Sequence, residues 1–154
     1  MPSMGLRRAA RVFIHRDGRE AIVVAMHYNE DRIGYEDDMA ALITSRPDAV
    51  RIGKEVVEAL NKSAIRPKNL RDTKLADWPA YRTSGAKSVR EFEAEYIQLC
   101  VEGANEANVV YVITGIPKKD SELQVTSSVS SCSPPDDLGK RVLRVYQACR
   151  DRKL

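Results

Sequence analysis

The sequence predicts an α+β domain in two layers: a mainly antiparallel sheet of about five strands with helices packed on one face. Two observations carry this. Runs rich in β-branched residues come in two groups, a pair near the N-terminus and three after residue 95. An amphipathic helical segment closes each group, giving the order β-β-α, a loop with a short helix, then β-β-β-α.

The first strands are 10–15 (ARVFIH) and 20–28 (EAIVVAMHY), joined by Arg16-Asp17-Gly18-Arg19. Asp-Gly between two such runs is a hairpin signal, because the turn needs positive φ. Residues 29–44 read as a polar loop ending in a short apolar turn or edge strand from Met39 to Thr44. A helix follows over about 46–63, with Ala49, Ile52, Gly53, Val56, Val57 and Leu60 on one stripe. Residues 64–86 are irregular and basic, with Pro67 and Pro79 preventing a long helix and Trp78 and Tyr81 anchoring the segment on the core. Ser88-Val89-Arg90-Glu91 is a capping box that opens a short helix to about Glu95. Three strands are expected at 96–102, 108–116 and 122–130, with turns at Gly103–Glu106 and Lys118–Ser121. The broken alternation of 108–116 predicts a strand buried on both faces. In 122–130, Leu123, Val125 and Val129 are expected to face the core. The last helix spans about 134–150, with Leu138, Val142, Val145, Tyr146 and Cys149 on one face.

The two long helices resemble each other. Residues 52–60 read IGKEVVEAL and residues 138–146 read LGKRVLRVY. Each is preceded by a Ser-x-x-Asp start signal, Ser45 to Asp48 and Ser133 to Asp136, in which the Ser is expected to cap the helix. Glycine inside a helix costs about 1 kcal/mol relative to alanine. Its presence in both helices predicts close approach of another element.

At 154 residues, with 43% hydrophobic and 31% charged content, the chain reads as a single globular domain over 1–154, with a flexible tail over about 1–8. No apolar run approaches a membrane span, and no secretory signal opens the chain. The odd, widely spaced Cys100, Cys132 and Cys149 predict reduced thiols in the cytoplasm. The net charge is +3. Acids cluster at 28–40 (Glu30, Asp31, Glu36, Asp37, Asp38) and at 91–107 (Glu91, Glu93, Glu95, Glu102, Glu106). Bases cluster at 66–90 and 140–153. Such blocks can steer a charged partner.

Catalytic and metal motifs are absent from the sequence. There is no Cys-x-x-Cys, no phosphate-binding glycine loop, no Gly-x-Ser-x-Gly and no EF-hand spacing. The two histidines, His15 and His27, lie on the predicted hairpin, where a two-histidine acid–base pair is imaginable. No cofactor is expected. Binding is the better class than catalysis.

The order of motifs resembles the immunity proteins of bacterial contact-dependent growth inhibition systems, the CdiI type. The features that carry the resemblance are Ile52-Gly53 to Leu60, Trp78, Lys87-Ser88 to Phe92, and Leu138-Gly139 to Cys149-Arg150. The resemblance runs over most of the chain, from about residue 7 to 151. The resemblance implies a cytoplasmic, non-enzymatic protein that binds the C-terminal toxin domain of a large exported effector, often a nuclease. One departure is that many nuclease inhibitors are acidic, whereas this chain is slightly basic.

The expected toxin contacts, read from a charged, loop-like cluster with an aromatic, are Glu30, Asp31, Tyr35, Glu36, Asp37 and Asp38. Neither membrane nor nucleic acid is expected as a partner. The alternative is an RNA-binding or ribosome-associated accessory protein using the basic segments 66–90 and 140–153. A small hydrolase centred on His15 and His27 ranks third.

Overall fold

The structure, a computed structural model, describes residues 5–72, 74, 77–117 and 123–151. The predicted turn at Lys118–Ser121 lies outside them, as do residues 1–4 and 152–154. Within the predicted tail, residues 6–8 are tied down. Arg7 donates to the Gly103 carbonyl, and Asn108 both accepts from the Arg8 N–H and donates to the Leu6 carbonyl.

The chain runs β1 (Ala9–His15), β2 (Ala21–Tyr28), β3 (Gly34–Glu36), β4 (Ala41–Ile43), α1 (Ala49–Lys62), a 3₁₀ turn (Leu70–Asp72), α2 (Pro79–Ser84), α3 (Val89–Glu95), β5 (Tyr96–Gly103), β6 (Val110–Gly115), β7 (Val125–Ser130) and α4 (Pro135–Asp151). The strands form one antiparallel sheet in the order β3-β2-β1-β5-β6-β7, with β4 also on β2. The α+β, two-layer reading holds, with the five expected strands joined by the three-residue β3 and β4; the helices are not confined to one face, because α2 and α3 pack on the other. The Asp-Gly turn forms as expected: Gly18 has φ 76°, and the His15 N–H donates to the Glu20 carbonyl at 3.0 Å.

The main core lies between the sheet and α1 with α4. Val12, Ile14, Val23, Leu99, Val101 and Ile113 point into it from the strands, meeting Ile52, Val56, Leu60, Leu138, Val142 and Val145. The opposite face is covered over β1, β2 and the start of β5. There α2 and α3 build a smaller cluster of Phe13, Ile22, Val24, Ala80, Phe92 and Tyr96, with Trp78 edge-on to Phe13 and Phe92. No helix covers that face of β6, so Val110 is exposed and Val112 and Thr114 are half-buried. The expected burial of this strand on both faces is therefore corrected to one.

The helical glycines explain the repeated pattern. A Cβ on Gly53 would lie 1.9 Å from the Pro135 carbonyl oxygen, and one on Gly139 would lie 1.8 Å from that of Ala49. The contact is reciprocal: the fifth residue of each helix receives the backbone of the other's first residue. Side chains of any size would force the helices apart.

The predicted helix starts need correction at both long helices: α4 begins at Pro135, so Pro134 and not Ser133 stands at its cap position. Ser45 does not cap α1. Ser45 and Arg46 both have positive φ (61° and 59°) and turn the chain. Asp48 is the cap, accepting the Arg51 N–H at 2.8 Å, so the helix begins at Ala49. The Ser88 box forms: its Oγ accepts the Glu91 N–H at 3.1 Å, and Glu91 reaches back to the Lys87 N–H at 3.0 Å. Within the segment read as irregular, Pro79 does not block a helix but starts α2, where its missing N–H costs nothing.

Candidate functional site

The two histidines do not meet. His15 ends β1 opposite Glu20, whereas His27 sits near the far end of β2, with its side chain towards the other face of the sheet. Seven residues of strand place them roughly 20 Å apart. A two-histidine catalytic pair is ruled out by this geometry.

His27 is instead buried, 1% exposed, in an ion-pair cluster. Its Nδ1 accepts the Ala64 N–H at 3.2 Å, so its Nε2 carries the proton and donates to Asp37 Oδ1 at 2.7 Å. The other Asp37 oxygen takes the Lys62 ammonium at 2.7 Å and the Met39 N–H at 3.0 Å. The Arg66 guanidinium stands 3.5 Å away. Burial alone would raise the Asp37 pKa, but the hydrogen bonds from Lys62, His27 and the Met39 N–H prevail and hold it at about 2. The cluster fastens β2 and the loop after β3 to the end of α1.

Glu36 is equally committed. It is 5% exposed and joins three elements. Its Oε2 accepts from the Trp78 indole and from Arg11 on β1 at 3.1 Å, and its Oε1 accepts the Ala80 N–H in the first turn of α2 at 3.0 Å. Of the expected contact set, Glu36 and Asp37 point inward and bind internal partners. Glu30, Asp31 and Asp38 point outward. Tyr35 is half-buried: its hydroxyl donates to the Arg66 carbonyl at 3.0 Å, and the Lys68 ammonium lies 4.8 Å over its ring.

The structure adds residues that the loop sequence did not reveal. Glu102 and Glu106 from the second acidic block meet Glu30 from the first around a groove of about 400 Å³ that Tyr28 and Ile65 also line. Arg7, 3.9 Å from Glu102, and Arg32 share this groove. The joining contact is the bridge of Tyr28 with Ile65, 37 residues on, which no local sequence pattern announces. Exposed apolar side chains also cluster along the β2 side: Ile33 (52%), Met39 (73%), Leu42 (44%) and Ile65 (53%). Apolar anchors among outward-facing acids are the composition of a protein-binding surface. The rest of the second acidic block lies elsewhere, since Glu91, Glu93 and Glu95 sit on α3 at the opposite end of β5.

Among the described residues no group of His, Cys, Asp and Glu could hold a metal ion, and no helix is long and apolar enough to cross a membrane. Burial raises the Cys100 and Cys149 thiol pKa values above the usual range.

No family model matches the sequence, and no curated protein does. Two solved structures share the fold over nearly the whole chain. A protein of unknown function from Neisseria meningitidis superposes with TM-score 0.70 at 14% identity, covering 96% of this chain and 98% of its own. A chain of the CdiA-CT/CdiI toxin and immunity complex from Yersinia pseudotuberculosis superposes with TM-score 0.67 at 13% identity, covering 96% and 99%. At these identities the likeness is one of fold.

Proposed function

We propose that this chain is an immunity protein that binds and neutralises the C-terminal toxin domain of a contact-dependent growth inhibition effector, acting in the cytoplasm and without catalysis of its own. The observation that carries the reading is the end-to-end likeness in fold to a chain of a toxin and immunity complex, at 96% coverage. The order of short motifs, from Ile52-Gly53 to Cys149-Arg150, points the same way. The toxin is proposed to be a nuclease, whose basic substrate-binding surface would be drawn to outward-facing acids.

The proposed contact surface is the β2 side of the sheet. Glu30, Asp31 and Asp38 supply steering charge, Tyr35 an aromatic contact, and Ile33 and Met39 apolar anchors. Neutralisation would follow from occlusion, by an interface on the order of 1,600 Å². The test is reversal of Glu30, Asp31 and Asp38 to Lys together. The association rate with the toxin domain is expected to fall about tenfold or more at low salt, and growth protection to weaken. Wild-type association and protection would remove this surface from the account.

A second reading, RNA binding through the basic segments, has one observation in its favour: Lys140, Arg141 and Arg144 on α4 are exposed, with no carboxylate partner among the described residues. The other basic segment is partly spent internally, with Arg66 on Asp37 and Lys68 on Tyr35. RNA binding predicts an affinity that falls steeply with salt.

A further inference from the structure

Among the described residues, one edge of the sheet carries no covering strand. At its β2 end, β3 and β4 are three residues each, and the Tyr35 hydroxyl and the single bridge at Ile65 close over that side. At the other end, β7 pairs with β6 and, among the described residues, with no other strand. Its sequence, VTSSVS, has no charge and no proline. Exposed edges are usually blunted by lysine, proline or a bulge, because their free backbone groups invite another strand.

The ladder phase shows which groups are free. The Ser131 N–H donates to the Val109 carbonyl at 2.8 Å. Pairing alternates from there, so Val129, Ser127 and Val125 bond towards β6, and Thr126, Ser128 and Ser130 turn their backbone groups to the open side. The Ser130 carbonyl is taken by the Ser133 N–H at 3.1 Å; the Thr126 and Ser128 amides and carbonyls face outward.

Charge surrounds this edge on one side. A groove of about 480 Å³ runs between β7 and α4, lined by Ser128, Ser130, Lys140, Arg141 and Arg144. Asp137 is the carboxylate that shares it, leaving two positive charges in excess. None of the three cations forms an ion pair among the described residues. A strand added to β7 would place alternate side chains over this basic row and the others over exposed Thr126, Ser128 and Ser130.

We infer that the β7 edge is a docking site for an extended, acid-rich segment of a protein partner, which adds a strand to the sheet and sets its carboxylates against Lys140, Arg141 and Arg144. Backbone pairing supplies the binding, and the α4 cations select the sign of charge. The site lies at the other end of the sheet from the surface proposed above and stands without it.

The test uses the full chain, isotope-labelled, with three probes at low salt: a synthetic peptide alternating Glu with Val and Thr, the same peptide with Lys for Glu, and a single-stranded oligouridylate. Amide resonances and exchange rates of Thr126, Ser128 and Ser130 are followed. The acidic peptide is expected to shift these amides and slow their exchange, with affinity at least about tenfold above the Lys peptide. Lys140→Glu with Arg144→Glu should cost about tenfold in that affinity. Ser128→Pro should abolish binding while the rest of the spectrum is retained, since that exposed N–H bonds nothing in the sheet. Unchanged β7 amides at millimolar acidic peptide, or equal binding of the Lys peptide, would overturn the inference. So would protection of the groove by the oligouridylate alone, which would assign it to nucleic acid.

Discussion

Glu36 and Asp37 show how adjacent acids in one loop take roles that charge counting cannot separate from those of Glu30, Asp31 and Asp38. Each is nearly inaccessible and has its oxygens satisfied by donors from other elements. Leaving such donors unpaired costs about 1–3 kcal/mol per group. Glu36→Gln is expected to destabilise the protein by about 2 kcal/mol and to loosen α2, read as a red shift in the emission of the single tryptophan, Trp78. Asp37 gives a pH signature. Its pKa in the folded chain is about 2, below the usual value of about 3.9 for an unfolded aspartate. Its contribution is therefore full above about pH 4 and is lost as pH falls through 2. Urea unfolding should show wild type about 2 kcal/mol more stable than Asp37→Asn at neutral pH, with the gap closing towards pH 2. A gap independent of pH would mean that the carboxylate's charge is not what matters.

At the level of elements, the paired glycines set the distance between α1 and α4, which pack on each other more extensively than any other two elements. Gly53→Ala or Gly139→Ala would gain up to about 1 kcal/mol of helix propensity. Each would also drive a methyl into a carbonyl oxygen less than 2 Å away. A net loss of at least about 2 kcal/mol is expected from each in chemical denaturation. Neutral or stabilising alanines would show that the helices can slide apart freely. This contact was legible as sequence, because glycine at the same place in two amphipathic helices has few other uses. The hairpin at Asp17-Gly18, the Ser88 cap and the core stripe of α4 were legible for the same reason: each is a local signal with a local cause. The α1 start was misread because Ser45 and Asp48 both have capping side chains, and only the left-handed turn at Ser45 and Arg46 decides between them. α2 and β3 were missed because both are short and depend on Glu36, which ties one to the other across 44 residues. The one-sided burial of β6 depends on where distant helices stop.

Across the whole molecule, the strand order places β1 and β5 side by side at the centre, each paired with the strand of its own hairpin. α1 closes the first half and α4 the second, and the two lean on each other through matching glycines. The topology is that of two similar halves joined about β1 and β5. The halves differ at their outer edges. The first is built up with acids, exposed apolar side chains and the bridge at Ile65; the second ends, among the described residues, on β7 beside basic α4. The sequence disclosed the charge blocks but not their grouping, since Glu30, Glu102 and Glu106 gather in one groove only once β1, β2 and β5 are paired.

The central claim, a protein partner rather than a nucleic acid or a substrate, is tested most directly by recovering the tagged chain from its source cells, with washes at low and at high salt. Bound protein is identified by mass spectrometry and nucleic acid by absorbance. Recovery of one stoichiometric partner that survives high salt and is the C-terminal domain of a very large exported protein is the predicted result. Nucleic acid that leaves at high salt, with no such protein, would contradict it.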